Sequence, residues 1–531
     1  MSGWLERERI VSTTTHEGAL RRARTPRAER INGRAAVWET RWLGPAAAIG
    51  LGALTALVSS VPMPRGPVSG AQGLIVIGVS VLIGVAAGYV TRSRWAMLLA
   101  PLAYIAAYEL ARLGIAGASL EGFRFDSIYG IAAFAAGRGI HGLLALLPMV
   151  VGVSIGLAIA RPRPPLALVP TGILSLAVVG LAVLVALPAS TPAVLGPDGQ
   201  PLPGSIAELT TVELGGHEQA ISIRAADPDK PVLLYLSGGP GQSDIAFARA
   251  LLQPFEQDFV VVVWDQRGSG KSYAALDPTS TFTLEGLVGD TIALTEYLRD
   301  RFAEDKVYLL GESWGTTLGV LAVQERPELF HAYIGSGQMV SQRVTDQIIW
   351  RDLLAHADRV GDGELYDQVL TLGEPPYRDM PWANSLILGY YGLLETPYTP
   401  PAAYIARGEA SGVGQFGLMG SEYSFVENAN LIRGLVDMFS LMYPQLQQID
   451  FRTDVPALEV PVYVLDGEHE LRGRRELAHE WFTQLTAPHK QLITYPNAGH
   501  AVAFEQADAF LRLMVDEIVP ATYGTGAGGD Q

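Results

Sequence analysis

Five apolar spans follow one another in the first part of this 531-residue chain. They are Trp42–Val61, Gly73–Val90, Trp95–Leu113, Gly139–Ala160 and Leu166–Leu187. Each is about 18 to 22 residues long, nearly free of charge and rich in Gly and Ala, and a helix of that length crosses a bilayer core of about 30 Å. The sequence therefore predicts an all-α transmembrane region of about five helices over residues 42–187, rather than the buried helices of a soluble core.

Arginine is unevenly distributed around these spans. Residues 1–41 are polar and contain nine Arg, so we expect a disordered cytoplasmic tail. The predicted inside loops carry Arg92, Arg94, Arg161 and Arg163. The outer loops carry Arg65, Arg112, Arg124 and Arg138, which weakens the bias. With the tail counted, the positive-inside rule favours an inside N-terminus, and five spans then lead to a multi-pass protein of the cell membrane with an extracytoplasmic C-terminal part.

The composition changes after the last span. Residues 188–205 are rich in Pro and Gly, which predicts a semi-extended linker. Residues 1–189 carry 17 Arg, no Lys and eight acidic residues, whereas the remainder carries 21 basic and 46 acidic residues. The acidic second part argues against nucleic acid as a partner. The chain has no Cys, which excludes disulfides, thiol catalysis and thiolate metal sites.

Short apolar strands alternate with helical patterns from residue 206 onward, which predicts a mostly parallel sheet. A helix-rich insertion of roughly 115 residues follows the sixth predicted strand. We expect an α/β core in two parts, 206–339 and 457–520, with the insertion as a cap over 340–456. A flexible tail is expected over 521–531.

The segment Gly311–Gly315 has the pattern G-x-S-x-G, with a strand-like run before it and a helical pattern after it. This strand, turn and helix is the context in which the pattern forms a nucleophile elbow. Glycines on both sides allow the close approach of strand and helix, where a Cβ would collide. Ser313 is the predicted nucleophile, and the N–H of Trp314 is expected to face the reacting carbonyl oxygen.

A serine nucleophile requires a base, and the base requires an orienting acid. His500 lies in the loop after the last predicted strand, where such a base is expected. The acid is expected in the loop after the preceding strand, which contains Asp466 and Glu470. We favour Glu470 because it lies past the turn at Gly467, from which a carboxylate can reach back to His500. Asp466 is the alternative.

Two glycine-containing loops flank these elements. Ser237–Gly241 follows the third predicted strand, so the N–H of Gly239 is expected to point at the developing oxyanion. Trp264–Ser272 ends in Gly-Lys-Ser, but the phosphate-binding loop requires a glycine where this chain has Asp265. We therefore predict no bound nucleotide. We also predict no metal and no other cofactor.

Together these residues resemble the proline iminopeptidase family of α/β-hydrolase serine peptidases, over roughly 206–520. The loop Ser237–Gly241 is similar to the family's HGGPG, with serine in place of histidine. Trp264–Ser272 is similar to its DQRGSG motif, and Gly311–Gly315 to its GxSWG elbow. The resemblance implies an α/β-hydrolase fold with a mostly helical cap, behind the transmembrane region.

The resemblance also implies site residues. It assigns Ser313 and His500 to a triad, with Glu470 where the family usually has Asp, and Gly239 and Trp314 as oxyanion donors. Family members release N-terminal proline and hold the substrate's amine with cap glutamates, and Glu427 matches one such segment.

Three functions follow from these observations. We expect a membrane-anchored serine hydrolase, an aminopeptidase that releases N-terminal proline or a small residue from a small peptide. The alternatives are an esterase or lipase acting on acyl esters at the membrane, and a receptor or transport component with an inactive hydrolase-like ectodomain.

Overall fold

The computed structural model describes residues 42–125, 127–162, 164–410 and 420–524. An N-terminal helical region is followed by a larger α/β region. The tail predicted over 1–41, and residues 525–531 of the predicted C-terminal tail, lie outside the described residues.

Apolar helices form the N-terminal region. They are α1 (Leu43–Ser60), α2 (Gly70–Thr91), α3 (Ala96–Ala111), α4 (Ile128–Phe134), α5 (Ile140–Ala160) and α6 (Val169–Ala186). A π-helical turn, Ala135–Gly139, joins α4 and α5 into one continuous helix. By length and composition, four of the described stretches can cross a membrane, namely α1, α2, α4 with α5, and α6 with the turn before it. Helix α3 is apolar but has 16 residues.

Two helices differ in extent from the predicted spans. Helix α3 is shorter than the predicted Trp95–Leu113, and the α4–α5 helix begins at Ile128, well before the predicted start at Gly139. The side chain of Ser127 caps the earlier start by accepting a hydrogen bond from Gly130 N at 3.1 Å. Arg138 does not end the helix, because its guanidinium pairs with Glu109 on α3 at 3.3 Å.

Glycine allows α2 and α5 to pack closely. A Cβ on Gly84 would lie 2.1 Å from the carbonyl oxygen of Met149, and one on Gly152 would lie 2.2 Å from that of Val81. Small residues at such crossings bring helix backbones together, as in membrane bundles. The outer faces retain large exposed apolar side chains, including Leu82 and Leu176.

Eight strands form one mixed sheet. They are β1 (Ile206–Leu214), β2 (His217–Ala225), β3 (Val232–Leu236), β4 (Val260–Trp264), β5 (Val307–Glu312), β6 (Phe330–Ser336), β7 (Val462–Gly467) and β8 (Lys490–Tyr495). Their spatial order is β1-β2-β4-β3-β5-β6-β7-β8. The first hairpin and its contact with β4 are antiparallel, and the remaining pairs are parallel. The prediction of a mostly parallel sheet is confirmed.

Helices surround this sheet and extend beyond it. The first part of the core contains α7 (Ile245–Leu251), α8 (Leu284–Phe302) and α9 (Trp314–Glu325). Between β6 and β7 lie α10 (Gln342–Val360), α11 (Gly363–Leu372), α12 (Trp382–Gly389), α13 (Tyr391–Leu394), α14 (Ala402–Ala410), α15 (Phe425–Leu446) and α16 (Phe451–Asp454). After β7 come α17 (Arg472–Gln484), α18 (Val502–Glu505), α19 (Ala507–Leu513) and α20 (Val519–Thr522).

The sheet is buried on both faces. Helices α8 and α9 cover one face, where Leu298 and Leu318 pack with Leu234 and Val262. Helices α7, α18 and α19 cover the other face. Strands buried on both sides are continuously apolar, as β3 and β4 are. The loops that leave the carboxyl ends of β3, β5 and β7 and the loop after β8 therefore meet at one edge of the sheet.

Helix α15 connects the two regions. Its Met438 packs in the core of the sheet, whereas its Val426 packs among the N-terminal helices. Buried polar contacts reinforce this position. Asp437 accepts hydrogen bonds from Ser119 N at 2.6 Å and from Arg65 Nη1 at 3.2 Å. Both charged side chains are almost fully buried and therefore need partners; Arg65 also pairs with Asp277 at 2.9 Å.

Candidate active site

The predicted nucleophile lies on a sharp turn between β5 and α9. Ser313 has φ 51° and ψ −118°, a conformation that L-residues rarely adopt. Its N–H donates to Ser336 O at 2.9 Å, which ties the turn to β6. A Cβ on Gly315 would lie 2.1 Å from Leu236 O, so this position requires glycine. The turn projects the Ser313 hydroxyl from the edge of the sheet, as a nucleophile elbow does.

His500 and Glu470 complete a chain of contacts that begins at Ser313. His500 Nε2 lies 2.9 Å from Ser313 Oγ, and His500 Nδ1 contacts Glu470 Oε2 directly. With Nδ1–H donating to the carboxylate, Nε2 is free to accept the serine proton. The structure thus brings together the three side chains that the sequence proposed as a triad.

The environment of Glu470 favours its ionised form. Its other oxygen accepts hydrogen bonds from Leu471 N at 2.7 Å and Arg474 Nη1 at 3.0 Å. Burial by itself would raise the pKa of Glu470, but the charges of His500 and Arg474 and these hydrogen bonds lower the pKa to about 2. A carboxylate that stays ionised can stabilise a protonated His500.

The alternative acid, Asp466, has other partners. Its Oδ2 accepts hydrogen bonds from Arg475 Nε at 3.1 Å and Thr494 Oγ1 at 3.0 Å. Asp466 is still part of β7, whereas Glu470 follows the turn at Gly467. The turn directs the later carboxylate back towards His500.

The loop Ser237–Gly241 lies against the nucleophile. A Cβ on Gly238 would be 3.4 Å from Ser313 Cβ. Gly239 has φ +114°, which favours glycine, and lines the same cavity as Ser313. Trp314 is the first residue of α9, so its N–H has no partner within the helix. Both predicted oxyanion donors therefore lie beside Ser313.

Gln266 has a role at the site that the sequence did not predict. Its buried amide donates to Ser237 O at 3.0 Å and accepts from Trp314 Nε1 at 2.9 Å. One side chain thus joins the loop after β3 to the elbow after β5. The signal available in the sequence was the position of Gln266 just after β4. Parallel strands end at the same edge of the sheet, so a polar residue there lies near the site.

Glu312, next to the nucleophile, is buried in the core. Burial, together with the charges of Asp244 and Glu470, raises the pKa of Glu312 well above its ordinary value. Burial thus favours the neutral form of Glu312, the carboxyl group next to the nucleophile in sequence.

A cavity of about 530 Å³ opens above the three side chains. Its lining comes from the core loops, the cap and the N-terminal helical region: Tyr129, Gly239, Gln242, Ser313, Met339, Gln342, Thr345, Asp346, Pro381, Trp382, Tyr391, Gly392, Glu395, Leu435, Val436, Phe439, Arg474 and His500. A small crevice of about 30 Å³ adjoins Ser313 next to Met339 and Leu446. In the described ranges, no three His, Asp or Glu side chains are grouped to hold a metal ion.

Asp346 on α10 is a buried carboxyl group that lines this cavity. It accepts hydrogen bonds from Tyr443 Oη and Gln342 Nε2, each at 2.8 Å. Burial raises the pKa of Asp346 to about 7, although these hydrogen bonds act in the opposite direction. Near neutral pH this group exchanges between its neutral and ionised forms, and a bound cation would favour the ionised form.

The structure does not bring Glu427 to this site. Its carboxylate closes a capping box at the start of α15, where it accepts from Ser424 N at 2.7 Å. It also accepts from Lys271 Nζ at 2.8 Å. Glu427 is absent from the lining of the catalytic cavity. Its carboxylate is therefore already paired, once within its own helix start and once with a distant lysine.

The fold and this geometry define the class of protein. Residues 231–375 match the family model of the alpha/beta hydrolase fold. The predicted fold class, an α/β-hydrolase fold behind a region of apolar helices, is confirmed. The chain carries an α/β-hydrolase domain.

Named relatives narrow the class. The probable aminopeptidase YbaC of Bacillus subtilis is 29% identical over 306 residues, which span 58% of this chain and 94% of that protein. The proline iminopeptidase of Neisseria gonorrhoeae is 24% identical over 311 residues, or 56% of this chain and 91% of that one. A proline iminopeptidase-related protein from Thermus thermophilus aligns structurally with a TM-score of 0.40 and 22% identity, covering 60% of this chain and 98% of the other. This protein thus has an α/β-hydrolase fold and is similar in sequence to proteins named aminopeptidase or proline iminopeptidase.

Proposed function

We propose that this protein is a membrane-anchored serine aminopeptidase that removes a proline or another small residue from the N-terminus of a peptide. The observation that carries the proposal is the contact chain from Ser313 through His500 to Glu470 at the base of a cavity. The names of the relatives support peptide substrates. The small crevice beside Ser313 supports a small first residue.

The chemistry follows from the contacts. Ser313 Oγ attacks the carbonyl carbon of the first residue while His500 Nε2 takes the hydroxyl proton. The ionised Glu470 stabilises the imidazolium that forms. The N–H groups of Gly239 and Trp314 stabilise the negative charge on the carbonyl oxygen. His500 then protonates the leaving amine. In the second half, His500 Nε2 takes a proton from water as the water oxygen attacks the acyl carbon, and it returns that proton to Ser313 Oγ as the acyl–oxygen bond breaks.

An aminopeptidase also holds the ammonium group of its substrate. That group is one carbon from the scissile carbonyl, so its partner has to lie in the cavity with Ser313. Asp346 satisfies this condition, because it lines the cavity and its pKa is near 7. We assign the amine-binding role to Asp346 instead of Glu427. An ammonium partly removed from water needs such a paired carboxylate.

Loop positions support membrane anchoring with five crossings. Three connections contact the hydrolase domain: the α1–α2 loop through Arg65, the α3–α4 loop through Ser119, and the chain after α6 through Thr191. Alternate connections of an up-and-down bundle lie at one end, so this pattern supports a crossing by α3 as well. The opposite end has Arg92, Arg94 and Arg161, which supports an inside N-terminus and an extracytoplasmic hydrolase domain.

The proposal is tested on the full-length protein in detergent. The unaltered protein should hydrolyse prolyl and alanyl arylamides and react with a fluorophosphonate probe, whereas Ser313→Ala should lose labelling and most activity. Ser222→Ala, at a buried serine on β2 that lines neither the cavity nor the crevice, serves as the control and should keep both. Turnover of neutral acyl esters with no turnover of either arylamide would favour an esterase. Labelling of Ser313→Ala would contradict the assignment of the nucleophile.

A further inference from the structure

One wall of the catalytic cavity comes from the N-terminal helical region. Tyr129, in the first turn of α4, lines the same cavity as Ser313 and His500. Trp382 and Val436 of the cap line this cavity as well. The helical region therefore contributes to the site and does more than anchor it.

A second cavity adjoins the first. It has a volume of about 880 Å³ and shares Tyr129 and Trp382 with the catalytic cavity. One side is formed by Arg124 and residues 127–129, and the other by α11, α12 and the loop between them. Because Tyr129 and Trp382 line both spaces, the two cavities meet at these side chains, between the cap and the helical region.

Specific contacts hold this wall in place. Arg124 pairs with Asp379 of the cap across the second cavity. Arg433 of α15 is fully buried and donates to Ala136 O at 2.7 Å, directly after α4. Ala133 of α4 packs against Val436. The position of Tyr129 is therefore determined by packing on both sides of the segment.

Exposed apolar residues, here called the rim, flank Arg124 and Ser127 of the second cavity. Phe123, Phe125 and Ile128 are 61%, 58% and 72% exposed, although they are large apolar side chains. They lie in the segment that enters α4. Exposed apolar groups of this kind next to the ends of membrane helices insert into the bilayer surface. The cavity lining itself is partly charged, with Arg124, Glu374, Arg378 and Asp379.

We propose that the two cavities together bind amphipathic peptides lying on the membrane surface, and that Tyr129 is a specificity-determining residue for the part of the substrate beyond the cleaved bond. This inference rests on the proposed function. The first residue occupies the space beside Ser313, and the following residues pass Tyr129 into the second cavity. Its charged lining suits a peptide backbone and polar side chains, while the rim suits the peptide's apolar face.

The experiment uses the full-length protein in liposomes. Three substrates share an N-terminal proline: an arylamide, a polar peptide of about 15 residues, and an amphipathic peptide of equal length that adsorbs to bilayers. Tyr129→Ala is compared with the conservative Tyr129→Phe. Tyr89→Ala, at a half-exposed tyrosine on α2 that does not line either cavity, is the matched control.

We expect the unaltered protein to prefer the amphipathic to the polar peptide by about 10-fold in kcat/KM. Tyr129→Ala should remove about 10-fold from the amphipathic peptide while arylamide turnover stays within about twofold. Tyr129→Phe and Tyr89→Ala should match the unaltered protein. Equal losses on arylamide and peptide, or no preference between the peptides, would overturn the inference. Failure of the unaltered protein to cleave the arylamide would overturn the proposed function as well, which distinguishes the two results.

Discussion

Glu470 and His500 are in direct hydrogen-bond contact although 30 positions separate them in the chain. Glu470 follows the turn that ends β7, and His500 lies in the loop after β8. The two strands are neighbours and parallel, so their carboxyl ends bring both loops to the same edge of the sheet. The same edge holds Ser313 at the end of β5. The residue of each loop that points towards Ser313 determines the members of the proposed triad, and substitutions can test this assignment.

The acid of the proposed triad can be identified by paired substitutions. Glu470→Gln should lower kcat by about 100-fold or more, because an amide cannot stabilise the imidazolium of His500. Asp466→Asn is the matched control and should change kcat by less than about threefold, since its carboxylate contacts Arg475 and Thr494. The measurement is steady-state arylamide hydrolysis. The opposite ranking would assign the role to Asp466.

The pH dependence should reveal Asp346. We compare kcat/KM for a free-amine prolyl arylamide with kcat/KM for a small neutral ester, because the ratio cancels the titration of groups needed for both. As the pH falls below about 7, Asp346 becomes protonated and no longer pairs with an ammonium, so the ratio should fall by up to about 10-fold per pH unit.

Asp346→Asn should remove this dependence between about pH 5.5 and 7 and lower the ratio about 10-fold at neutral pH. Glu427→Gln is the control. It should leave the ratio unchanged and lower thermal stability, because it weakens the capping box and the pair with Lys271. A pH-independent ratio in the unaltered protein would exclude Asp346 as the amine ligand.

Gln266 should act as a positioning residue for the oxyanion loop. Gln266→Met keeps the volume but removes the hydrogen bonds to Ser237 O and Trp314 Nε1. We expect kcat to fall about 10-fold with KM nearly unchanged, since the interaction matters most when charge develops on the oxygen. Gln447→Met, another buried glutamine outside the cavity, is the control. A larger effect on KM than on kcat would count against this role.

Membrane topology can be measured with single cysteines, because the chain has none of its own. Asp198→Cys lies in the exposed chain after α6, and Ser93→Cys lies between α2 and α3. A membrane-impermeant maleimide should label Asp198→Cys on intact cells and Ser93→Cys only after permeabilisation. Labelling of Ser93→Cys on intact cells, or protection of Asp198→Cys, would contradict the proposed orientation.

The sequence by itself determined the features that depend on local chain chemistry. Apolar spans of sufficient length are visible without a structure, because hydrophobic length and the absence of charge are local properties. The alternation of strands and helices and the glycines around Ser313 are local as well. These patterns predicted the helical region, the sheet and the elbow.

Only the tertiary structure decided which side chains share a space. The amine-binding residue predicted from a motif, Glu427, is engaged in capping its own helix, whereas Asp346 lines the cavity through the packing of α10 against the rest of the cap. Tyr129 reaches the site because Ser119 and Asp437, 318 positions apart, join the helical region to α15. Contacts of this kind arise from the packing of distant elements, and neither periodicity nor motif spacing contains that information.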